Sequence, residues 1–508
     1  MLTKIVSLTA SMMLFIATQV VSQVVVYPAQ DAGFQNHSDK FKITVYQNGK
    51  PYKSYVYQSK TPVTGGQELG GQFGKTFNFT TFSFQGKIEV EVTKLNSTAN
   101  SAIIRPTRLI PEPINAVTGS EGSTVKFSLD NPAKLSIEFN DDPGLTDGCM
   151  VFADPLENTS LIPDMTSANV GIVTDSSSLK TASGKQIIVF KPGTLNIGYW
   201  EVPLSVKQIY FSGGSYIVGY VHALRDTLNP LVINGKGILS NTGYPYWYPK
   251  SDVNKVKPYI ALYIEGGKNN LISDMTICDG TNANIFLKGK NSTINNVKIH
   301  GFRLTNDGIT PVSSNFLTVT NCFIHVNDDA VVLYGSNFTM SNCTFWQLGG
   351  GSILQLGWGP NTIRGNNLIS FCDVIHAEWK HTNRNAGFVS AMNMVDNPNA
   401  KNSIVQNFTF KNIYFDTDID RLIDIQMEGS RNKQPVDYEN FRFENIYFLN
   451  KQTNNNSLVY LRDFHDSVSS FKNFVFKNIV INGKTVTSDD PQQKHLLSTK
   501  TRAAVSMQ

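Results

Sequence analysis

Two short acidic stretches carry the side chains best suited to chemistry, Thr305-Asn306-Asp307-Gly308 and His325-Val326-Asn327-Asp328-Asp329-Ala330. The interval from Asp307 to Asp328 is in the low twenties. If one turn of a repeating coil spans that interval, Asp307, Asp328 and Asp329 come together on neighbouring strands. Gathered carboxylates repel one another, so at least one pKa must rise. A carboxyl raised in this way can act as a general acid near neutral pH while an ionised neighbour acts as base. Cleavage of a glycosidic bond needs that pairing, an acid for the leaving oxygen and a base for water. The same cluster could instead hold Ca²⁺ on a turn, or form a purely structural Asp-Asp turn. Spacing alone leaves all three open.

About one coil further on stands Gln355-Leu356-Gly357-Trp358-Gly359-Pro360. A Trp beside Gly and Pro predicts an exposed indole, a flat platform for a sugar ring. Tyr244-Pro245-Tyr246-Trp247-Tyr248-Pro249 could serve likewise through Trp247, or could close a coil end by packing. Trp379-Lys380 near His376 is a third candidate. The expected substrate contacts are therefore His325, Asn327, Gln355, Trp358, Lys380 and Trp247. No phosphate loop, Ser/His/Asp order or zinc motif stands elsewhere. The five cysteines have no metal-ligand spacing, and their odd count leaves at least one unpaired in a monomer. No metal or other cofactor is expected.

These residues need a scaffold that brings distant positions into register. Asn269-Asn270-Leu271-Ile272, Asn291-Ser292-Thr293-Ile294, Asn315-Phe316-Leu317-Thr318, Asn337-Phe338-Thr339-Met340 and Asn361-Thr362-Ile363 each run from Asn into a short apolar strand. The interval between their starts stays in the low twenties throughout. Phe408-Thr409-Phe410-Lys411-Asn412-Ile413, Phe441-Arg442-Phe443-Glu444-Asn445-Ile446 and Phe474-Val475-Phe476-Lys477-Asn478-Ile479 repeat one another closely. Short strands and turns at such a period, without a Leu-rich consensus, predict a parallel β-helix. The asparagines at equivalent turns are expected to stack as amide ladders.

The first half differs. Lys42-Ile43-Thr44-Val45-Tyr46 and Lys87-Ile88-Glu89-Val90-Glu91-Val92 alternate apolar and polar residues, a period of two that places one face in a core and the other in water. The chain is therefore expected to be all-β. An N-terminal β-sandwich is expected over residues 23–182, a right-handed parallel β-helix over 183–490 and a C-terminal tail over 491–508. A Ser/Thr-rich bridge, Thr174–Ser183, joins the two domains.

Residues 1–22 read as an export signal, with Lys4 before an apolar run from Val6 to Val21 and a cleavage site after Ser22. Small and polar residues interrupt a run already short for spanning a bilayer. Nine Asn-x-Ser/Thr sequons fit a secreted chain. With 41% hydrophobic and 17% charged residues, the 508-residue chain can bury a large core and is not disordered. A net charge of +4 without a Lys/Arg run excludes nucleic acid as the natural partner. A secreted monomer that leaves the membrane once its leader is removed is expected.

His325-Val326-Asn327-Asp328-Asp329-Ala330, Leu354-Gln355-Leu356-Gly357-Trp358 and Val374-Ile375-His376 resemble glycoside hydrolase family 49, the family of dextranase and isopullulanase. Softer matches run through Ile103-Ile104-Arg105-Pro106, Ile162-Pro163-Asp164-Met165, Ile187–Gly193 and Gly235–Ser240, so the likeness covers most of the mature chain. It implies a β-sandwich followed by a right-handed β-helix, and inverting hydrolysis within neutral α-glucan chains. By motif position it implies Asp328 as general acid, with Asp307 and Asp329 as bases that hold the water. The sequence departs from the pattern after Gly357-Trp358, where a cation is expected and Gly359-Pro360-Asn361 stand. A polygalacturonase-type enzyme is the nearest rival, but it carries a Gly-His-Gly segment and an Arg-x-Lys. Here Gly349-Gly350-Gly351-Ser352 takes that place, and an acidic polymer would need cationic partners. A non-catalytic carbohydrate-binding β-helix is the remaining alternative.

Overall fold

The computed structural model describes residues 22–60, 72–244, 259–358, 361–379, 385–393, 403–419, 421–427, 436–451, 458–463, 470–487 and 505–507. All but the last residue of the expected export signal lies outside these. No helix among the described residues is long and apolar enough to cross a membrane.

Two packed sheets form the N-terminal part. One runs in the order Gln23–Val26, Thr76–Gln85, Asp147–Pro155, Ala133–Phe139, Ser101–Arg105, Ile114–Asn115. The other runs Lys50–Ser54, Phe41–Gln47, Ile88–Leu95, Gly122–Leu129, Val117–Thr118. Pairing is antiparallel except between Thr76–Gln85 and Asp147–Pro155, which run parallel. The alternating strands do what their period requires: Ile43, Val45, Val90 and Val92 turn inward to meet Ile104, Leu135 and Val151.

Thr76–Gln85 is buried on both faces, and its sequence carries phenylalanine on both. Phe82 and Phe84 enter the sandwich core. Phe77 and Phe79, on the opposite face, pack with Phe152 against Phe323, Trp346 and Ile375 of the following domain.

That domain is a parallel β-helix of short strands, three to a coil in its central part. One coil holds Leu262–Lys268, Leu271–Ser273 and Thr276–Cys278; the next holds Ala283–Lys290, Thr293–Asn295 and Lys298–His300. The middle residue of each short strand (Ile272, Ile277, Ile294, Ile299) points into the coil and its neighbours point out. Stacked aromatics fill later coils, such as Phe410, Phe443 and Phe476. Coil length is not constant. Thr293 pairs with Thr318 and Thr318 with Thr339 at intervals in the twenties, whereas the later register Phe408, Phe441, Phe474 needs a longer coil.

The turn asparagines form ladders. Asn473 Nδ2 donates to Asn440 Oδ1 at 2.8 Å, and Asn440 Nδ2 to Asn407 Oδ1 at 3.0 Å. Each also has a positive φ of 55–61°, a left-handed turn that Asn tolerates better than other side chains with a Cβ. Cys322, Cys343 and Cys372 occupy equivalent interior positions of successive coils, and all five thiols are free and buried.

The domain boundary falls earlier than residue 182. Val170–Val173 already pairs in parallel with Ile187–Phe190. The Thr174–Ser183 stretch is no linker but a short helix, Ser176–Ala182, capped by Asp175 and burying Leu179 and Ala182 on the first coil. Its polar exposed face disguised it. At the far end Val505–Met507, inside the expected tail, pairs with Phe474–Phe476. Of the sequons, Asn78 is fully buried and donates to Thr76 Oγ1 and Gly148 O, so it cannot carry a glycan in the folded chain.

Phe77→Ala should open a cavity in this interdomain core and destabilise the protein by about 3–5 kcal/mol. Chemical denaturation of the variant against the parent measures it; an unchanged midpoint would contradict the interface.

Candidate active site

In consecutive coils the chain leaves the sheet beneath the sandwich and turns a corner into the next strand. Lys298–His300 leads through Thr305 and Asn306 into Asp307–Asn315; Phe323–Val326 leads through Asn327, Asp328 and Asp329 into Val331–Val332. Ile309 pairs with Val331, and Gly308 N donates to Asp329 O at 2.9 Å. The ladder therefore sets Asp329, rather than Asp328, directly over Asp307. Asp328 precedes it by one position on the same corner. One carboxylate oxygen from each of the three lies within 4.8 Å of the others, with Asp307 and Asp328 half-buried and Asp329 buried.

A corner takes backbone carbonyls out of the strand ladder, and buried carbonyls need donors. Side-chain amides supply them. Asn284 Nδ2 reaches Asp307 O at 2.7 Å, and Asn306 Nδ2 reaches Gly280 O at 2.8 Å. Asn327 Nδ2 reaches Phe302 O at 2.8 Å, and Gln347 Nε2 reaches Asp328 O at 2.9 Å. These bonds fix the backbone from which the carboxylates project.

The three acids differ in their partners. Burial raises Asp307 well above the ordinary carboxylate range, and the charges of Asp328 and Asp329 add to it. Burial and the Asp329 charge do the same to Asp328, whose Oδ1 accepts one backbone N–H, from Asp329 at 3.0 Å. Asp329 is also raised by burial, but four donors counter it. Ser352 N and Oγ lie 2.8 and 3.0 Å from its Oδ1, Asn385 Nδ2 lies 3.0 Å from the same oxygen, and Trp358 Nε1 lies 2.9 Å from Oδ2. Hydrogen bonds to the charged form favour it. Asp329 is thus the member best held as carboxylate, and Asp307 and Asp328 are the ones pressed to keep a proton. With its lone pairs already accepting N–H and O–H donors, Asp329 is a poor cation ligand, whereas Asp307 and Asp328 carry no such set.

The expected substrate contacts fare unevenly. His325 is 1% exposed and lies beneath the sandwich, its ring 4.5 Å from that of Phe77. It flanks Ile324 on a strand whose outer face the sandwich covers, so alternation sends it into that interface. Burial pulls its pKa well below the ordinary imidazole value. Asn327 is fully buried as a corner donor. Gln355 is fully buried too, accepting from Gly357 N and donating to Asn385 Oδ1 at 2.7 Å, which makes it a brace for the amide that holds Asp329. Trp358 is half-buried and turns its indole N–H onto Asp329 rather than standing free as a platform. Trp247 and Lys380 lie outside the described residues. His376 bonds Glu138 of the sandwich at 2.7 Å.

Ser352, Asn385 and Tyr334 escaped the sequence reading. Ser352 follows Asp329 by one coil, so its spacing was a usable signal. Asn385 lies a longer coil away, and its left-handed φ of 52° belongs to a turn that no period marks. Tyr334 is half-buried close to Asp307 and Asp329, and its hydroxyl accepts from Trp358 N at 3.4 Å.

The raised acids fix a sign. A carboxyl whose folded pKa exceeds its unfolded value of about 3.9 penalises folding above about pH 4, increasingly until its folded pKa is reached. Asp307→Asn should therefore raise the melting temperature at pH 7, with the gain fading toward pH 3. A melting series over that range tests this; a variant less stable than the parent at pH 7 would count against the assigned shift.

Comparison with known proteins agrees with this architecture. Residues 235–368 match the family model of the right-handed β-helix region. The chain is 23% identical over 455 residues to a dextranase of Arthrobacter globiformis, covering 75% of this chain and 69% of that one. It is 25% identical over 401 residues to an isopullulanase of Aspergillus niger, covering 70% and 68%. The structure of Dex49A from Penicillium minioluteum superposes with a TM-score of 0.75 at 19% identity, covering 95% of this chain and 96% of that one. The likeness to glycoside hydrolase family 49 carried by the His325–Ala330 and Leu354–Trp358 motifs thus extends over most of the sequence, and the chain is a glycoside hydrolase related to that family.

Proposed function

We propose that the protein is a secreted hydrolase of neutral α-glucans, of dextran or pullulan type, acting by inversion through Asp307, Asp328 and Asp329. The observation that carries the reading is the trio itself: carboxyl oxygens within 4.8 Å, one acid held by four donors and two left without such support. Asp328, raised and half-buried, serves as general acid on the leaving oxygen. Asp329, the acid best supported as a carboxylate, serves as base on the attacking water, with Asp307 beside it as a further partner that orients the water. Dextranase and isopullulanase relatives support the substrate class. The N-terminal apolar run supports export.

Glycine packing speaks against a polygalacturonase-type site. A Cβ at Gly350 would stand 2.1 Å from Asn327 O, and one at Gly351 would stand 2.2 Å from Asp328 C. A histidine at either position is excluded by backbone, so the Gly-His-Gly arrangement of the rival has no room here.

The trio is tighter than the about 6.5–9.5 Å usual between the carboxyl groups of an inverting pair. Product stereochemistry is therefore the sharpest test. Inversion of an α-linkage releases the β-anomer first, visible by proton NMR before mutarotation; an α-anomer would replace inversion by retention. Reducing ends should appear from dextran or pullulan and not from polygalacturonate. Asp328→Asn should lose about 10³-fold or more in kcat, while retention on glucan gels stays near the parent's and melting at pH 7 is not lowered; turnover close to wild type would remove Asp328 as the acid. Trp358→Phe deletes one donor to Asp329, so the acidic limb of the pH–kcat profile should move to higher pH. A limb that stays in place would show that the indole does not tune that carboxylate.

A further inference from the structure

Upstream of the carboxylates, one outward-facing row of the same sheet is aromatic. The strand register aligns His222 with Tyr263, Tyr263 with Phe286 and Phe286 with Thr310, which lies just after Asp307 on the same strand. One coil earlier the register pairs His222 with Glu201, and Tyr199, two residues before it on the same face, reaches the row through its hydroxyl, 3.0 Å from His222 Nδ1. The His222 ring meets Tyr263 edge-on at 4.6 Å, and Tyr263 stacks on Phe286 at 4.5 Å with an interplanar angle of 3°. All four rings are half-buried. They are not core residues, because their strand neighbours Leu262, Ile264, Ile285 and Leu287 already fill the coil interior.

Coils stacked about 4.8 Å apart place Phe286, Tyr263 and His222 about 5, 10 and 14 Å from the strand of Asp307 along the helix axis. Beyond that strand the surface continues with Tyr334 and Trp358 beside Asp329. The strip is thus continuous with the catalytic corner.

We propose that the row Tyr199, His222, Tyr263 and Phe286 binds the glucan chain on the N-terminal side of the cleavage point, so that substrate is held several rings away from the cut. The inference rests on the glucan hydrolase reading and extends it. A sugar ring offers a C–H face to an aromatic ring and hydroxyls to polar edges, and this row supplies both. Tyr263 carries its hydroxyl at the edge, 2.9 Å from Glu265 Oε2. Glu265 in turn pairs with Lys288 at 3.0 Å, so the flanking charges cancel, as a neutral polymer requires and an acidic one does not. An alternative is that the rings only pack on one another as an external ladder.

The experiment compares the parent with a Tyr263→Ala, Phe286→Ala double variant on soluble dextran and on the shortest oligosaccharide that the parent cleaves. A second double variant, Tyr263→Leu with Phe286→Leu, keeps apolar bulk while removing the rings, and melting curves confirm folding. The ratio of kcat/KM on polymer to that on the short substrate should fall about tenfold in both variants, with weaker retardation in dextran-containing native gels. An unchanged ratio in the Leu variant while the parent remains active on dextran would overturn the strip alone. A parent that neither cleaves nor binds dextran or pullulan would overturn the function reading, and the strip with it.

Discussion

Everything in the β-helix half depends on the parallel backbone ladder between consecutive coils. Each coil donates and accepts main-chain hydrogen bonds from its neighbours, so a residue's position in one coil fixes what lies above and below it. Asp307, Asp329 and Ser352 occupy one such column. A whole coil of chain separates each from the next, yet the ladder brings their side chains together. The same column logic makes the asparagine ladders, the phenylalanine stacks and the three thiols in a line.

The corner where the acids project works against stability. Three carboxyl groups share a partly desolvated site, and burial raises the pKa of each. The protein resolves this unequally. Ser352, Asn385 and Trp358 converge on Asp329, and Gln355 steadies Asn385. Asp307 and Asp328 receive no comparable set among the described residues. Unequal support lets chemically identical side chains take different protonation states, the requirement for acid and base to act together.

The sandwich is more than an appendage. Its strand Thr76–Gln85 closes the outer face of the sheet that leads into the acidic corner, and Phe77 packs on both His300 and His325. Charge locks the contact as well. Although burial opposes it, Lys236 and Lys298 hold the Asp154 carboxyl down to about 2. The Arg108 guanidinium meets Asp373 through Nη2 at 2.8 Å. Removing one partner of the fully buried Asp154–Lys298 pair costs far more than the pair itself contributes. The relative placement of the domains is therefore specified rather than loose, and with it the corner's backbone.

Much was legible in the sequence because periodicity is a local signal. Alternation in Lys42–Tyr46 and Lys87–Val92 announced sandwich strands, Asn-led strands at intervals in the low twenties announced the solenoid, and Asp307 with Asp328-Asp329 announced the acidic cluster. What alternation could not tell was which outer faces would be covered. His325 and Asn327 sit beside the acids in sequence, yet the first is buried under Phe77, on a strand from the other half of the chain, and the second serves the corner's own carbonyls. Trp358 read as a free platform because a loop sequence does not reveal where an indole N–H will point. Asn385 and Ser352 became visible only once the ladder set the register, since coil lengths vary and a hydrogen bond between coils depends on an accurate register. The residue types and their rough spacing narrowed the chemistry available to what clustered carboxylates can do; the stacking of coils and the domain laid over them decided which side chains come together.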